Sequence, residues 1–564
     1  MIIFWETIIR SVMVLLSGER INKIMFELFK NKRDTTIALA FGIPFCFINL
    51  LGKYLESHLT ASFDNVLFVI LNTIFFSPIV GEIYLRLRKY LISYPLSSSF
   101  ESEITLKQKY IYFLICVVCM NLAYIPVLLA YYPGLFAYDV AWQISQSTGG
   151  YYRHHPLIHT LYLQFFYYIV GEKCNNYTVG IACASAMQMF LFTMMVSYIH
   201  LFLYTIGVNV KIRRVLLALS SLLPYFSVLS ISMTKDVFFT GFMGILCVCL
   251  FYWEKYPPHY NTVGNIGLYI ISVIGVILFR NNGIFAVVMS FGIGTGILVI
   301  KRKNFKYLWS TLTGIILALI ISEGLSFTLS AGKGSGNEAL SLPYQQISYV
   351  YHAKKEELSN EELSEILEII PTVENYNPHL SDPVKGSATG NQNLRKLFSC
   401  YIRLFQKYPL DYFQAFLQHN LGYFYIGDKT HAAIYGTTAE SRQGYLLTDT
   451  KDGFGVIHVS RFSALEKLYE YLYTTNKYQE LFILRLLCSP ATYFWMILLL
   501  FTYVLDMGRR GIVTFTLIGF FILTLLAGPC VLIRYAFPYI VCIPILLTMI
   551  LSDKNYERPK EENG

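Results

Sequence analysis

The run Tyr110-Ile-Tyr-Phe-Leu-Ile-Cys-Val-Val-Cys-Met-Asn-Leu-Ala-Tyr-Ile-Pro-Val-Leu-Leu-Ala130-Tyr-Tyr-Pro133-Gly134-Leu-Phe-Ala-Tyr-Asp139-Val-Ala-Trp-Gln143 decides the class of this chain. Its first part, near 110–131, is almost wholly apolar and longer than the roughly 18 residues that cross a bilayer. Pro133-Gly134 breaks the run, so the chain is expected to leave the hydrocarbon there and turn. Asp139, Gln143, Arg153, His154, His155 and His159 follow close to the hydrocarbon edge, among aromatics that favour that depth. A carboxylate so near lipid is costly, which makes Asp139 a functional candidate.

Outward from that run, 55% hydrophobic and 14% charged residues, with several further runs of spanning length, read as an all-α, multi-pass membrane protein. The net charge of +9 gathers in Lys and Arg clusters beside spans, where it fixes orientation. No nucleic-acid motif appears, and no nucleic-acid partner is expected. The 11 cysteines are scattered, as at Cys116, Cys119, Cys247 and Cys249, with neither zinc spacing nor a disulfide framework.

Orientation follows from the basic clusters. Residues 1–17, apolar but carrying Glu6 and Arg10, read as an interfacial helix, and Lys23, Lys30, Lys32 and Arg33 mark the cytoplasmic side. Spans near 36–53, 65–85 and 110–131, with Arg86-Leu-Arg88-Lys89 inside, place the Asp139 loop outside. Lys211, Arg213 and Arg214 should lie inside, so an odd number of crossings separates them from Asp139. The run 178–207 supplies one, and 156–170 is therefore expected to re-enter or lie on the surface rather than cross.

Spans near 215–231, 237–253, 264–279, 283–300, 307–328, 486–505, 511–526 and 538–551 bring the count to about 12, with both termini cytoplasmic. The expected organisation is a cytoplasmic or interfacial segment 1–35, a transmembrane module 36–329 containing the outer loop 132–177, an extracytoplasmic domain 330–480, C-terminal transmembrane helices 481–552 and a cytoplasmic tail 553–564. The plasma membrane is the expected location. The alternation rests on basic clusters alone, yet it collects Asp139, Lys235, Asp236, Arg280 and Arg534 on the outer face. That set suits an anionic, membrane-borne substrate.

In the polar region, Ser359-Asn-Glu-Glu362 is a capping box opening an amphipathic helix with Leu363, Ile366, Leu367 and Ile370 on one face. A second helical pattern carries Leu394, Leu397, Phe398, Tyr401, Leu404 and Phe405. The domain is expected to be small and mainly helical.

Taken together, Tyr132-Pro-Gly-x4-Asp139-x3-Gln143, His154-His155-Pro156, Thr234-Lys235-Asp236, Arg280-Asn-Asn-Gly283, Pro343-x-Gln345-Gln346, Ser381-Asp-Pro-Val-Lys385 and Arg534-Tyr-x2-Pro538 resemble a little-characterised group of bacterial membrane proteins related to GT-C glycosyltransferases. The likeness runs over about residues 105–550 and is specific in its combination of motifs rather than in any one. It implies a GT-C-like fold and a transferase that takes a sugar from a polyprenyl-phosphate carrier on the outer face. The acceptor would be an envelope glycan, glycolipid or protein. Asp139 matches the proposed catalytic base of that superfamily, and Asp236 matches a second acidic residue found in many members.

Blander readings stand beside these. Asp139 could cap the helix that follows, His154 and His155 could form a structural polar cluster, and Arg280 and Arg534 could snorkel from span ends. Lys235 and Asp236 could pair with each other. As functional residues, Asp139 would deprotonate an acceptor hydroxyl while Lys235, Arg280 or Arg534 stabilises the departing phosphate, giving inversion. Gln143, His154 and His155 would contact substrate. The residues leave open whether a divalent cation takes part, and no metal ligand set is assigned. The competing class is a transporter or flippase of an anionic lipid-linked saccharide, although no internal repeat supports a two-fold transporter architecture.

Overall fold

The computed structural model describes residues 32–56, 63–93, 104–136, 138–255, 262–301, 303–334, 336–428, 454–474, 477–506 and 511–551. Among these residues the chain is an all-α membrane protein, with strand-like pairing confined to isolated bridges such as Tyr152 with Gly332 and Leu380 with Cys530. The interfacial helix expected over 1–17, Lys23, Lys30, Arg302, Arg509, Arg510 and the tail 553–564 lie outside the described residues.

Helices α1 (Lys32–Glu56), α2 (Phe63–Ser93) and α3 (Leu106–Ala130) come first. Then follow α4 (Tyr138–Gly149), α5 (Leu157–Gln164), prolonged by a π-helical turn over Phe165–Val170, and α6 (Tyr177–Thr205). The bundle continues with α7 (Val210–Leu222), α8 (Pro224–Ser230), α9 (Lys235–Lys255), α10 (Val263–Phe279), α11 (Gly283–Gly294) and α12 (Phe305–Thr328). The polar region contributes α13 (Ser341–Lys354), α14 (Asn360–Ile369), α15 (Leu394–Lys407), α16 (Pro409–Phe424) and α17 (Ser463–Tyr469). Closing the chain are α18 (Phe482–Cys488), α19 (Pro490–Asp506), α20 (Ile512–Leu526) and α21 (Ile533–Leu551).

Among the described residues, 7 helices are long and apolar enough to cross a membrane, or up to 9 if each bent pair is one span. The bent pairs are α7 with α8, at 53°, and α18 with α19, at 67°. The sequence pattern over 215–231 and 486–505 gave one span each. The breaks fall at Leu223-Pro224 and Ser489-Pro490, where a proline lacks the N–H that would continue the ladder and holds its predecessor extended.

At the centre stands α9. Some 89% of its apolar window is buried inside the protein, against 33% for α3 and 22% for α12, whose remaining surfaces suit lipid. Close neighbours explain why small residues interrupt it: a Cβ on Gly241 would meet Met195 Sδ at 2.1 Å, and one on Gly244 would meet Ile199 at 2.6 Å, so α6 packs directly on its backbone.

Segment 454–459 fixes the position of α5. It bonds Tyr132 at the end of α3, Tyr167 within the π-helical turn and Thr178 at the start of α6. His155, just before α5, also sits at the end of the bundle where α3 stops, beside Lys235. Both ends of the 157–173 helix therefore lie at one end of the bundle. At the opposite end the Arg213 guanidinium covers the rings of Tyr112 and Tyr204, 5.0 and 4.7 Å from their centroids.

The polar region has its own core, built from Tyr344, Ile347, Ile366, Leu397, Leu404 and Tyr412. The Ser359/Glu362 capping box forms. On α15 the apolar residues divide: Leu397 and Leu404 face this core, whereas Phe398 and Phe405 are exposed. The region grips the α20–α21 loop, with Ser381 N–H donating to Pro529 O and His419 Nε2–H to Gly528 O.

The far end of α9 is anchored by Glu254. Its fully buried carboxylate accepts from the backbone N–H groups of Gly511, Val513 and Thr514 at 3.1, 3.0 and 3.1 Å, and from Thr514 Oγ1 at 2.8 Å. These donors open α20, whose N-cap glycine supplies no side-chain cap. Lys255 Nζ donates to Met549 O near the end of α21. Glu254→Gln exchanges an acceptor oxygen for a donor facing N–H groups, and should cost about 2–4 kcal/mol. Thr514→Val should cost about 1 kcal/mol. Thermal melts of the purified variants check both the size and the order.

Candidate functional site

The site begins where α3 ends. Gly134 N–H donates to Tyr131 O and Leu135 N–H to Ile231 O, so the turn after α3 lies against the loop that precedes α9. Only glycine suits position 134, since its φ is +123° and a Cβ would meet Ser185 Oγ at 2.3 Å. The two loops, held together, place the first turn of α4 beside the first turn of α9.

A buried polar ladder then fixes α4. His159 Nδ1–H donates to Gln143 Oε1 at 2.8 Å and Thr160 Oγ1 donates to the same atom at 3.3 Å. Gln143 Nε2 donates to Asp139 O, and Gln164 Nε2 donates to Gln143 O at 3.0 Å. Gln143 is 1% exposed, so its amide supports the helix from within the protein. Asp139 lies in the first turn of α4, with its carboxylate turned toward cations from elsewhere in the chain.

Those cations come from helix ends. Lys235 Nζ lies 3.8 Å from Asp139 Oδ2, and Arg534 NH1, from the first turn of α21, lies 3.7 Å from the same oxygen. Arg534 Nε also lies 3.9 Å from Asp236 Oδ2, so this guanidinium bridges two carboxylates. Asp236, in the first turn of α9, pairs with Arg280, the C-cap of α10, at 2.6 Å. An acid at a helix N-terminus and a base at a C-terminus each complement the helix dipole. Lys235 and Asp236 thus pair with different partners, and all five charges join one network.

The pairs differ in kind. Arg280 is packed among the rings of Phe239, Phe521 and Tyr535, with Asp236 only 4% exposed beneath it, which makes a dry strut. Asp139 and Lys235 keep 17% and 20% exposure, and their contacts are longer than hydrogen bonds. Burial would raise the Asp139 pKa, but Lys235 and Arg534 outweigh it and hold the carboxyl at about 2. At an effective dielectric near 20, a pair at about 4 Å gains ~4 kcal/mol of raw attraction. Desolvation costs several kcal/mol per ion, and the two cations together offset it at Asp139.

His155 accepts a hydrogen bond from Lys235 Nζ at 2.9 Å and aims that ammonium. Burial and then the Lys235 charge push its imidazole down to about 2, so it is neutral. His154 packs edge-on to His155, and Asn281 Nδ2 donates to the carbonyls of Arg153 and His154. Burial also lowers the His154 pKa, and with both histidines uncharged three cations face two carboxylates, so the cluster carries one surplus positive charge. Among the described residues no group of three His, Cys, Asp or Glu side chains converges to hold a metal ion.

Tyr535, quoted in the sequence only within Arg534-Tyr-x2-Pro538, was assigned no role there. Its hydroxyl accepts from Arg534 NH2 at 3.0 Å, and both Arg280 and Arg534 lie 4.9 Å from its ring centroid. In a chain with 44 tyrosines it had nothing to mark it except its place beside Arg534. The motifs of the polar region also find their use. Gln345 Nε2 donates to Asn377 O and to His419 Nδ1, while Lys385 pairs with Glu338 and Asp382 at 2.5 and 2.8 Å. Together with Ser381 they steady the grip on the loop that delivers Arg534.

No curated protein and no solved structure matches the chain. Residues 151–563 match one family, described as a family of unknown function (DUF6020), in a stretch that includes Lys235, Asp236, Arg280 and Arg534. On a match covering most of its length, the chain belongs to the family of unknown function DUF6020.

Proposed function

We propose that the chain is an inverting, GT-C-like glycosyltransferase of the plasma membrane, moving a sugar from a polyprenyl-phosphate carrier to an envelope acceptor on the outer face. The observation that carries this reading is the Asp139 carboxylate, mostly buried but still reached by solvent, set against Lys235 and Arg534 in a cluster with a surplus positive charge, at one end of an apolar bundle. A lipid-borne phosphate reaches such a place along the bilayer and meets cations that suit it. In this reading the two bent pairs and the short helices α10, α20 and α21 each cross, giving twelve crossings, and the site end faces outward.

The acceptor hydroxyl gives its proton to Asp139 as its oxygen bonds to the anomeric carbon. The bond from that carbon to the phosphate oxygen breaks, and its electron pair leaves on the polyprenyl phosphate. Lys235 and Arg534 stabilise the charge that develops there. Arg280 and Asp236 hold Arg534, and Gln143 and His155 position Asp139 and Lys235. A transporter would return the carrier with its saccharide attached, so transfer of label from carrier to acceptor separates the two classes.

Asp139→Asn keeps the size of the side chain but not its basicity. Transfer from a polyprenyl-phosphate sugar should fall about 10²–10⁴-fold while the melting temperature stays near wild type. An Asn variant with near wild-type turnover would remove Asp139 from the chemistry. Asp236→Asn strands Arg280 in a dry site and should instead cost about 3–5 kcal/mol of stability, read in the same melts.

Arg534→Lys should weaken donor binding, because an ammonium cannot fork across two acceptors as a guanidinium does. Arg280→Lys should show mainly as lost stability, of about 1–2 kcal/mol, from its three aromatic neighbours. Donor titrations beside melting curves distinguish the binder from the strut, and unchanged affinity in the Arg534 variant would contradict this assignment.

A further inference from the structure

We propose that the donor phosphate itself frees the base: Lys235 and Arg534 are shared cations that turn from Asp139 to the phosphate, so the acceptor is activated only after the donor has bound. This inference rests on the transferase reading above and adds an order to it. Its ground is the contrast between the two kinds of ion pair. Arg280 and Asp236 meet at 2.6 Å under aromatic cover, a fixed contact. Lys235 and Arg534 stand 3.8 and 3.7 Å from Asp139, close enough for attraction but beyond hydrogen-bond length. Lys235 is bonded to His155 and Arg534 to Tyr535, contacts apart from Asp139 that keep each cation at the site when its attraction shifts to the phosphate.

Every group facing Asp139 bears on the outcome. Lys235 comes from α9, Arg534 from α21, and His154 and His155 from the loop before α5. Tyr152 lies in that same loop within electrostatic reach, and Asp236 stands behind Arg534. With both cations engaged, Asp139 is too weak a base to take a hydroxyl proton. A phosphate that draws them off also sets a like charge beside the carboxylate, and both changes raise its proton affinity. Without donor the carboxylate stays masked by its two cations.

The test uses the full chain in lipid nanodiscs and dicyclohexylcarbodiimide, which reacts with protonated carboxyls. Labelling of Asp139 is read by mass spectrometry at mildly acidic pH with undecaprenyl phosphate, with undecaprenol, or with neither, and binding of each lipid is measured separately. The phosphate lipid should raise labelling about tenfold, the change expected for one pKa unit, and the neutral alcohol should not. Lys235→Gln, in preparations with a wild-type melting temperature, should raise labelling with no lipid present. Bound undecaprenyl phosphate with unchanged labelling would overturn the masking inference and leave the site reading intact. Failure of the phosphate lipid to bind at all would overturn both.

Discussion

The bridge of Arg534 between Asp139 and Asp236 is the contact that joins the two halves of the charge cluster. Ionised groups beside hydrocarbon must compensate one another or fail to ionise, and a guanidinium is the one side chain that serves two carboxylates while stacking on an aromatic ring. Through this bridge the loosely paired half of the cluster, at Asp139 and Lys235, is tied to the tightly paired half, at Asp236 and Arg280. The rest of the fold can be understood as the means of bringing four helix ends to that point. The pinned Gly134 turn sets α4, the central α9 supplies Lys235 and Asp236, and the polar region holds the loop before α21.

Much of this was legible in the sequence because charge beside apolar runs is rare and costly. Asp139, Lys235, Asp236, Arg280 and Arg534 stood out against 55% hydrophobic composition, and alternation of basic clusters assigned them to one face. Their partners were not legible. Adjacency in sequence suggested a Lys235–Asp236 pair, whereas Asp236 meets Arg280 and Lys235 meets Asp139 and His155, contacts made only in the folded bundle. Gln143 looked like a substrate contact because it is polar near lipid, yet its environment is the interior of its own helical hairpin. Length and hydropathy recognised the runs around Pro224 and Pro490 but ignored the prolines that bend them.

The polar region shows a different limit of reading. Its capping box was plain, since the signal is local. The purpose of Gln345, Ser381 and Lys385 was hidden, because they act on a loop that arrives near the end of the chain. Their chemistry is ordinary hydrogen bonding, and what gives it consequence is the cation carried on the next turn.

Helix α9 carries adjacent charged residues at both ends, Lys235-Asp236 and Glu254-Lys255, each set tied to other helices. A helix advances about 1.5 Å per residue, so a slip of a single residue along its axis would break buried contacts at both ends together. The central rod is therefore locked against sliding. Any relative movement within the bundle is then left to the helices around it, two of which already have their backbone ladder interrupted, at Pro224 and Pro490.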